Sequence, residues 1–374
     1  MVKFLHTSDW QIGMKGGGLG SAGDLVRKAR IESIKNVFST AKENSVDFVL
    51  ISGDVFEHNM VGSEEVSSVI SIFNQFQDIP IYLLPGNHDY LGPGSVYKRD
   101  IFSRVEHLTI LDSRNPIELD RVTIHPDPVF SIFTGRGEGD RFRCVIDEPG
   151  VHIGVAHGSL IGGFGVTDDI DLPIDPSCVE KSGLDYLALG HWHSHHVFND
   201  SHGVPRIAYS GTHEQTKYEE NEAGYCLLVE IKGKGAAPTI TPVKCGGLSW
   251  NSIEFTVRDR SSLNELEELL DSYREVDMLR LELMGELDLQ YQSDLVRILD
   301  YHNTLHQDFR IIQDSMQYTV PVNVDSIRDF GDPTLNKVDA ELRKRLSIES
   351  APISCATLIE ALSLLHRLSE EEHL

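Results

Sequence analysis

Short apolar runs punctuate the first half of the chain at 2–7, 47–52, 79–84, 151–156 and 184–189, and amphipathic stretches separate them. Apolar segments this short, bounded by glycine and polar residues, predict buried strands. Between them, Leu25, Ala29, Ile31, Ile34, Val37, Phe38 and Ala41 fall at helical spacing and predict a helix over 24–45, with a second near 63–77. Strands joined by covering helices define an α/β fold. After His193 the pattern turns β-rich, with strands predicted at 206–209, 225–231 and 239–243.

A second unit begins near Trp250, where Ile253, Phe255 and Val257 alternate with Ser252, Glu254 and Thr256 as in a half-buried strand. A helix over 261–273, a strand over 278–284, a helix over 289–305 and a strand over 309–315 follow. From Pro333 two amphipathic helices are expected, one with Leu335, Val338, Leu342 and Leu346 on a single face, the other with Leu358, Leu362 and Leu365.

Composition narrows the class. An apolar fraction of 40% over 374 residues fills a substantial core. No apolar run approaches the roughly 20 residues a membrane-spanning helix needs, and Val2–Thr7 follows Met1 without a signal-peptide pattern. The five cysteines, Cys144, Cys178, Cys226, Cys245 and Cys355, are scattered and never form a Cys-x-x-Cys pair; this argues against a disulfide framework and fits a reducing cytoplasm. The net charge is −25, and 25 acidic against 12 basic residues from Asn251 onward hold about half of it. Such a field repels nucleic acid, so DNA binding needs local help.

Every one of the five apolar runs ends in residues suited to a metal. The first delivers Asp9 and Gln11, the second Gly53-Asp54, the third Gly86-Asn87-His88-Asp89, the fourth His157-Gly158 and the fifth Gly190-His191-Trp192-His193. Open α/β sheets place their ligands outside the carboxyl ends of the strands. Carboxylate, amide and imidazole donors without thiolate suit Mn²⁺, Fe, Zn²⁺ or Mg²⁺. Their number exceeds what one ion accepts and implies two, about 3.5–4 Å apart, sharing a carboxylate. The adjoining glycines are expected to permit tight turns.

In this order the motifs resemble the signature of the calcineurin-like metallophosphoesterases, Asp-x-His, Gly-Asp, Gly-Asn-His-Asp/Glu, His-Gly and Gly-His-x-His. The resemblance implies that Asp9, Gln11, Asp54 and His193 hold the first metal and that Asp54, Asn87, His157 and His191 hold the second, with Asp54 bridging. It also implies that His88 protonates the leaving oxygen, with Asp89 orienting it. Gln11 departs from the family, which has histidine there. It leaves three alternatives: weak coordination by an amide oxygen, a hydrogen bond to a bound water, or one tightly and one loosely held ion.

Phe4-Leu-His-Thr-Ser-Asp-Trp10, Gly53-Asp-Val-Phe56, Leu187-Ala-Leu-Gly-His-Trp-His193 and Tyr209-Ser-Gly211 are similar to SbcD-type DNA repair nucleases over roughly residues 1–245. That likeness implies a metallophosphoesterase β-sandwich flanked by helices over 1–247, a small α+β capping domain over 248–330 and C-terminal partner-binding helices over 331–374. It further implies Mn²⁺-dependent exonuclease and single-strand endonuclease activity, a DNA substrate, an SbcC-like coiled-coil ATPase partner and a homodimer. A small-molecule phosphodiesterase or phosphatase on the same centre, and a catalytically weakened scaffold protein of an ATPase complex, are the alternatives.

Other candidates have plainer explanations. His6 is expected either in the core or behind a ligand that it orients, His58, His195, His196 and His202 in solvated loops, and Trp10 and Phe56 as packing groups. Gly18-x-Gly20-x-x-Gly23 matches a dinucleotide fingerprint but lies too far from the strand end. Lys15, Arg27, Lys28 and Arg30, and Lys98, Arg99 and Arg104, are basic clusters suited either to phosphate contact or to solvated helix faces. The acidic stretch from Glu265 to Asp277 is expected as an exposed helix face.

Overall fold

The computed structural model describes residues 1–14, 22–131, 141–163, 172–319, 331–346, 354, 357–362 and 364–365. Lys15, Gly18, Gly20, residues 320–330 and most of the segment beyond 346 lie outside them. The chain divides into two compact units, Met1–Leu248 and Ser249–Leu374.

The first unit holds two six-stranded sheets. In one, β1 (Val2–Thr7), β2 (Phe48–Ser52), β3 (Ile81–Leu84) and β4 (Leu108–Ile110) run parallel, and β13 (Tyr225–Ile231) and β14 (Thr239–Lys244) continue antiparallel beyond β1. In the other, β6 (Val122–Asp127), β7 (Val151–His157), β10 (Tyr186–Gly190) and β12 (Pro205–Tyr209) are parallel, edged antiparallel by β5 (Ile117–Glu118) and β11 (His196–Asn199). A two-stranded pair, β8 (Ser159–Leu160) and β9 (Pro173–Ile174), is separate.

Phe4, Phe48, Leu50 and Tyr82 from the first sheet pack on Ile153, Val155, Tyr186 and Ala188 from the second. Phe4 stacks on Phe48 with ring centres 5.1 Å apart. The outer face of the first sheet is covered by α1 (Gly23–Glu43) and α2 (Ser63–Phe73) through Ile34, Val37, Phe38, Val66, Val69 and Phe73. On the second sheet, α3 (Cys178–Ser182) and neighbouring loops cover Leu187, Leu189 and Ile207. A strand buried on both faces has no polar side, which is why these strands read as unbroken apolar runs. Each large side chain so buried contributes about 1.5–3 kcal/mol. The fold is thus mixed α/β, two sheets flanked by helices, as the sequence predicts.

The second unit carries a three-stranded parallel sheet of β15 (Trp250–Thr256), β16 (Met278–Asp288) and β17 (Asp308–Thr319). Crossovers pass through α4 (Arg260–Asp271) and α5 (Gln292–Leu305), whose Leu263, Leu266, Leu270, Leu295 and Ile298 pack on Leu279, Leu281 and Leu283. A reciprocal cap starts α4: Asp259 accepts from the Ser262 N–H, and Ser262 Oγ accepts from the Asp259 N–H, each at 3.0 Å. A last helix, α6, spans Pro333–Leu346. No helix among the described residues is long and apolar enough to cross a membrane.

Three expectations change. The runs identified in the sequence omit β4, β5, β6, β8, β9 and β11. His196 opens β11 instead of lying in a loop. Arg30 belongs to no surface cluster: it is 2% exposed, on the buried stripe of α1, and donates to the Trp10 carbonyl.

Candidate metal centre

The strands β1, β2, β3, β7 and β10 all end at one edge of the sandwich, and the motif residues follow them there. Asp9 and Gln11 are tied to the β2 exit by backbone bonds, Asp9 N–H to Gly53 O (3.0 Å) and Gln11 N–H to Asp54 O (2.8 Å). Asp9, Gln11, Asp54 and His191 all adopt positive φ (55°, 42°, 54° and 104°), a conformation that non-glycine residues hold only when surrounding structure enforces it.

The side chains interlock. The Asp9 carboxylate accepts from Ser8 Oγ and from the His191 backbone N–H (3.0 Å). Asp54 accepts from the His88 backbone N–H (2.9 Å) and lies 3.2 Å from His157 Nε2. The Asn87 amide oxygen faces His157 Nε2 at 2.8 Å and His191 Nδ1 at 3.2 Å. Asp9, Asp54 and His157 present ligand atoms all within 4.8 Å of one another. His193 stands beside this cluster: its carbonyl accepts from the Thr212 N–H (2.9 Å), and the Thr212 hydroxyl donates to the Asp9 carbonyl (2.8 Å). Its ring donates from Nδ1 to Glu220 Oε1 at 2.6 Å.

Two glycines earn their place by what they lack. Neither Gly86 nor Gly190 is at positive φ, but a Cβ on Gly86 would collide with Asp54 Oδ1, and one on Gly190 with the Ser52 carbonyl. Close approach, not a tight turn, is therefore their role.

Among the described residues, the His88 ring and Asp89 hydrogen-bond to partners other than each other. His88 Nδ1 donates to the Glu57 carbonyl (2.8 Å), so that carbonyl orients the ring. Asp89, fully buried, accepts from Gly86 N–H (2.7 Å), Phe56 N–H (3.1 Å) and the Tyr97 hydroxyl. It shapes the loop carrying Asn87 and His88. Burial and the nearby Asp54 charge push its pKa up to about 6.

Electrostatics show a site built for cations. Burial raises the Asp9 carboxyl, and Asp54 adds to the rise against His157 and His193. Burial also opposes the Asp54 charge, but His157 overcomes it and holds the carboxyl below its ordinary range. Burial would lower His157, yet Asp54, its hydrogen bond and Asp9 raise it to about 10. His191, desolvated and next to His157, is lowered to about 4. Two adjacent buried carboxylates thus take their compensation from a protonated imidazole, the place a divalent ion is suited to fill. The oxygen and nitrogen donor set fits such ions.

Glu220, Thr212 and Ser52 went unseen in the sequence. Glu220 sits in a polar stretch without periodicity, so nothing in the pattern marks it. His6 is a core residue, its ring bonded to Tyr186 Oη (3.0 Å) and Ser52 Oγ (2.8 Å). Trp10 and Phe56 are fully buried.

The calcineurin-like phosphoesterase family model matches residues 2–195, a little over half of the chain. The uncharacterized metallophosphoesterase YhaO of Bacillus subtilis is 26% identical over 253 residues, covering 62% of this chain and 58% of that protein. The SbcD component of the nuclease SbcCD from Staphylococcus saprophyticus is 25% identical over 275 residues, covering 65% and 69%. A DNA double-strand break repair protein of Aeropyrum pernix is 27% identical over 289 residues, covering 70% and 66%. This chain therefore spans less than two thirds of the Bacillus subtilis protein's length. With the family's motif residues gathered at one edge of the sandwich, the chain belongs to the calcineurin-like phosphoesterases, a family of metal-dependent hydrolases.

Proposed function

We propose that this chain is a DNA nuclease that hydrolyses phosphodiesters with two divalent cations, Mn²⁺ foremost, and works in the cytoplasm with a coiled-coil ATPase resembling SbcC. The observation that carries the proposal is the packing of Asp9, Asp54, Asn87, His157 and His191 into one hydrogen-bonded cluster at the strand ends. Asp9, Gln11, Asp54 and His193 hold the first ion, and Asp54, Asn87, His157 and His191 the second. The ions supply Lewis acidity toward phosphoryl oxygens and a nucleophile at neutral pH. His88 carries the proton for the leaving oxygen. Its Nδ1 is tied to the Glu57 carbonyl, its side chain is 36% exposed, and its Nε2, 4.0 Å from Asp54, is the nitrogen left to give the proton. Asp89 holds the loop that presents it. Nuclease relatives support the DNA substrate. In this reading residues 248–330 cap the catalytic domain, and the segment from 331 docks the ATPase.

A small-phosphodiester hydrolase on the same centre is favoured by the net charge of −25. The two separate on one experiment: the purified chain with Mn²⁺, with and without its ATPase, on blunt duplex ends, single-stranded circles and bis-p-nitrophenyl phosphate. Shortened duplexes and linearised circles, formed about 10²–10⁴-fold more slowly by His88→Ala, are expected. Intact DNA beside turnover of the small ester would overturn the nuclease assignment.

A further inference from the structure

Among the described residues, His193 is the one of the three imidazoles assigned to the ions that is braced by a carboxylate outside the ligand set. Glu220 is 3% exposed, and its Oε1 lies 2.6 Å from His193 Nδ1. Its Oε2 accepts from the Thr216 N–H (2.7 Å) and hydroxyl (3.0 Å), and the largely exposed Lys217 ammonium stands 3.8 Å from Oε1. Both carboxylate oxygens are thus fixed, and a turn of the His193 ring would give up its 2.6 Å hydrogen bond to a buried carboxylate. By contrast, His157 is braced on Nδ1 by the neutral Ser52 carbonyl (2.9 Å).

The first ion has most need of such support. Its shell includes Gln11, a neutral amide, so His193 is its only imidazole. Because Nδ1–H is engaged, Nε2 is the nitrogen free to bind a cation, and a carboxylate behind an imidazole raises its donor strength.

Resting on the metal-site assignment above, we propose that Glu220 is a positioning residue that locks His193 as an Nε2 ligand of the first ion and offsets the weak donor at position 11.

The test is a calorimetric Mn²⁺ titration of the metal-stripped full chain, wild type, Glu220→Gln, Gln11→His and the double variant. Wild type should bind two ions. Glu220→Gln should weaken one by about 10–100-fold and leave the other unchanged, with bis-p-nitrophenyl phosphate turnover recovering at high Mn²⁺. Gln11→His should restore the lost affinity in the double variant. A merely structural Glu220 would lower both affinities together with the melting temperature, and added Mn²⁺ would not rescue turnover; that result overturns the proposal, as does wild-type binding by Glu220→Gln or no restoration by Gln11→His. A wild type that binds no ion pair would instead sink the metal-site assignment itself. Should Glu220→Gln fail to fold, imidazole ¹⁵N shifts of the Zn²⁺-loaded wild type decide: His193 metallated at Nε2 and protonated at Nδ1 is expected, and the reverse overturns the proposal.

Discussion

His157, the last residue of β7, donates from Nδ1 to the carbonyl of Ser52, the last residue of β2, across 2.9 Å. This bond joins the two sheets where the candidate ligands gather, and it points Nε2 at Asp54 and Asn87. One imidazole therefore couples the packing of the sandwich to the charge of its site.

The proton on that imidazole gives the first prediction. The folded pKa is raised from 6.5 to about 10, so in the metal-free chain the stabilisation is full below pH 6.5 and is lost as pH rises through about 10. A cation that takes Nε2 must displace this proton. Mn²⁺ affinity should rise with pH across that window, and calorimetry at pH 7.5 in buffers of different ionisation enthalpy should register proton release. An affinity indifferent to pH would contradict this.

Gly190→Ala tests the close approach of the strands. Its Cβ would collide with the Ser52 carbonyl and crowd His157 Nδ1. Overpacking of this kind costs about 1–3 kcal/mol, and in a unit this large each kcal/mol lowers the melting temperature by about 2–4 °C. Metal binding should fall with it. Gly233→Ala, where a Cβ meets open space, should leave both melting and metal content alone.

Arg30→Met should destabilise far more than Arg27→Met. Burial lowers Arg30 to about 10, while Glu220, Glu214, Glu57 and Asp9 hold its charge. Removing one partner of buried charges costs about 3–5 kcal/mol. Arg27 pairs with exposed Asp24 at the surface, where substitutions stay within about 0.5 kcal/mol. Equal urea midpoints for the two variants would refute the counterion role.

Much of this was legible in the sequence because strands buried on both faces must be apolar and their ends carry the ligands. The five runs and their motifs therefore marked both the fold and the edge where the site forms. β6 was hidden because His125 and Pro126 interrupt its apolar pattern, and β11 because it is a short edge strand with exposed ends. Arg30 falls at helical spacing with Val26, Ser33 and Val37, all buried; its charge, not its position, suggested a surface. Glu220 and the Glu57 carbonyl act through tertiary contacts, and no local period announces those.

The central claim is that Asp54 is shared by two ions. Metal content and Mn²⁺ electron paramagnetic resonance of wild type and Asp54→Asn test it directly. Two ions per wild-type chain with a spin-coupled signal, both lost in the variant, are predicted. A single uncoupled ion in the wild type, or a coupled pair that survives Asp54→Asn, would contradict the account.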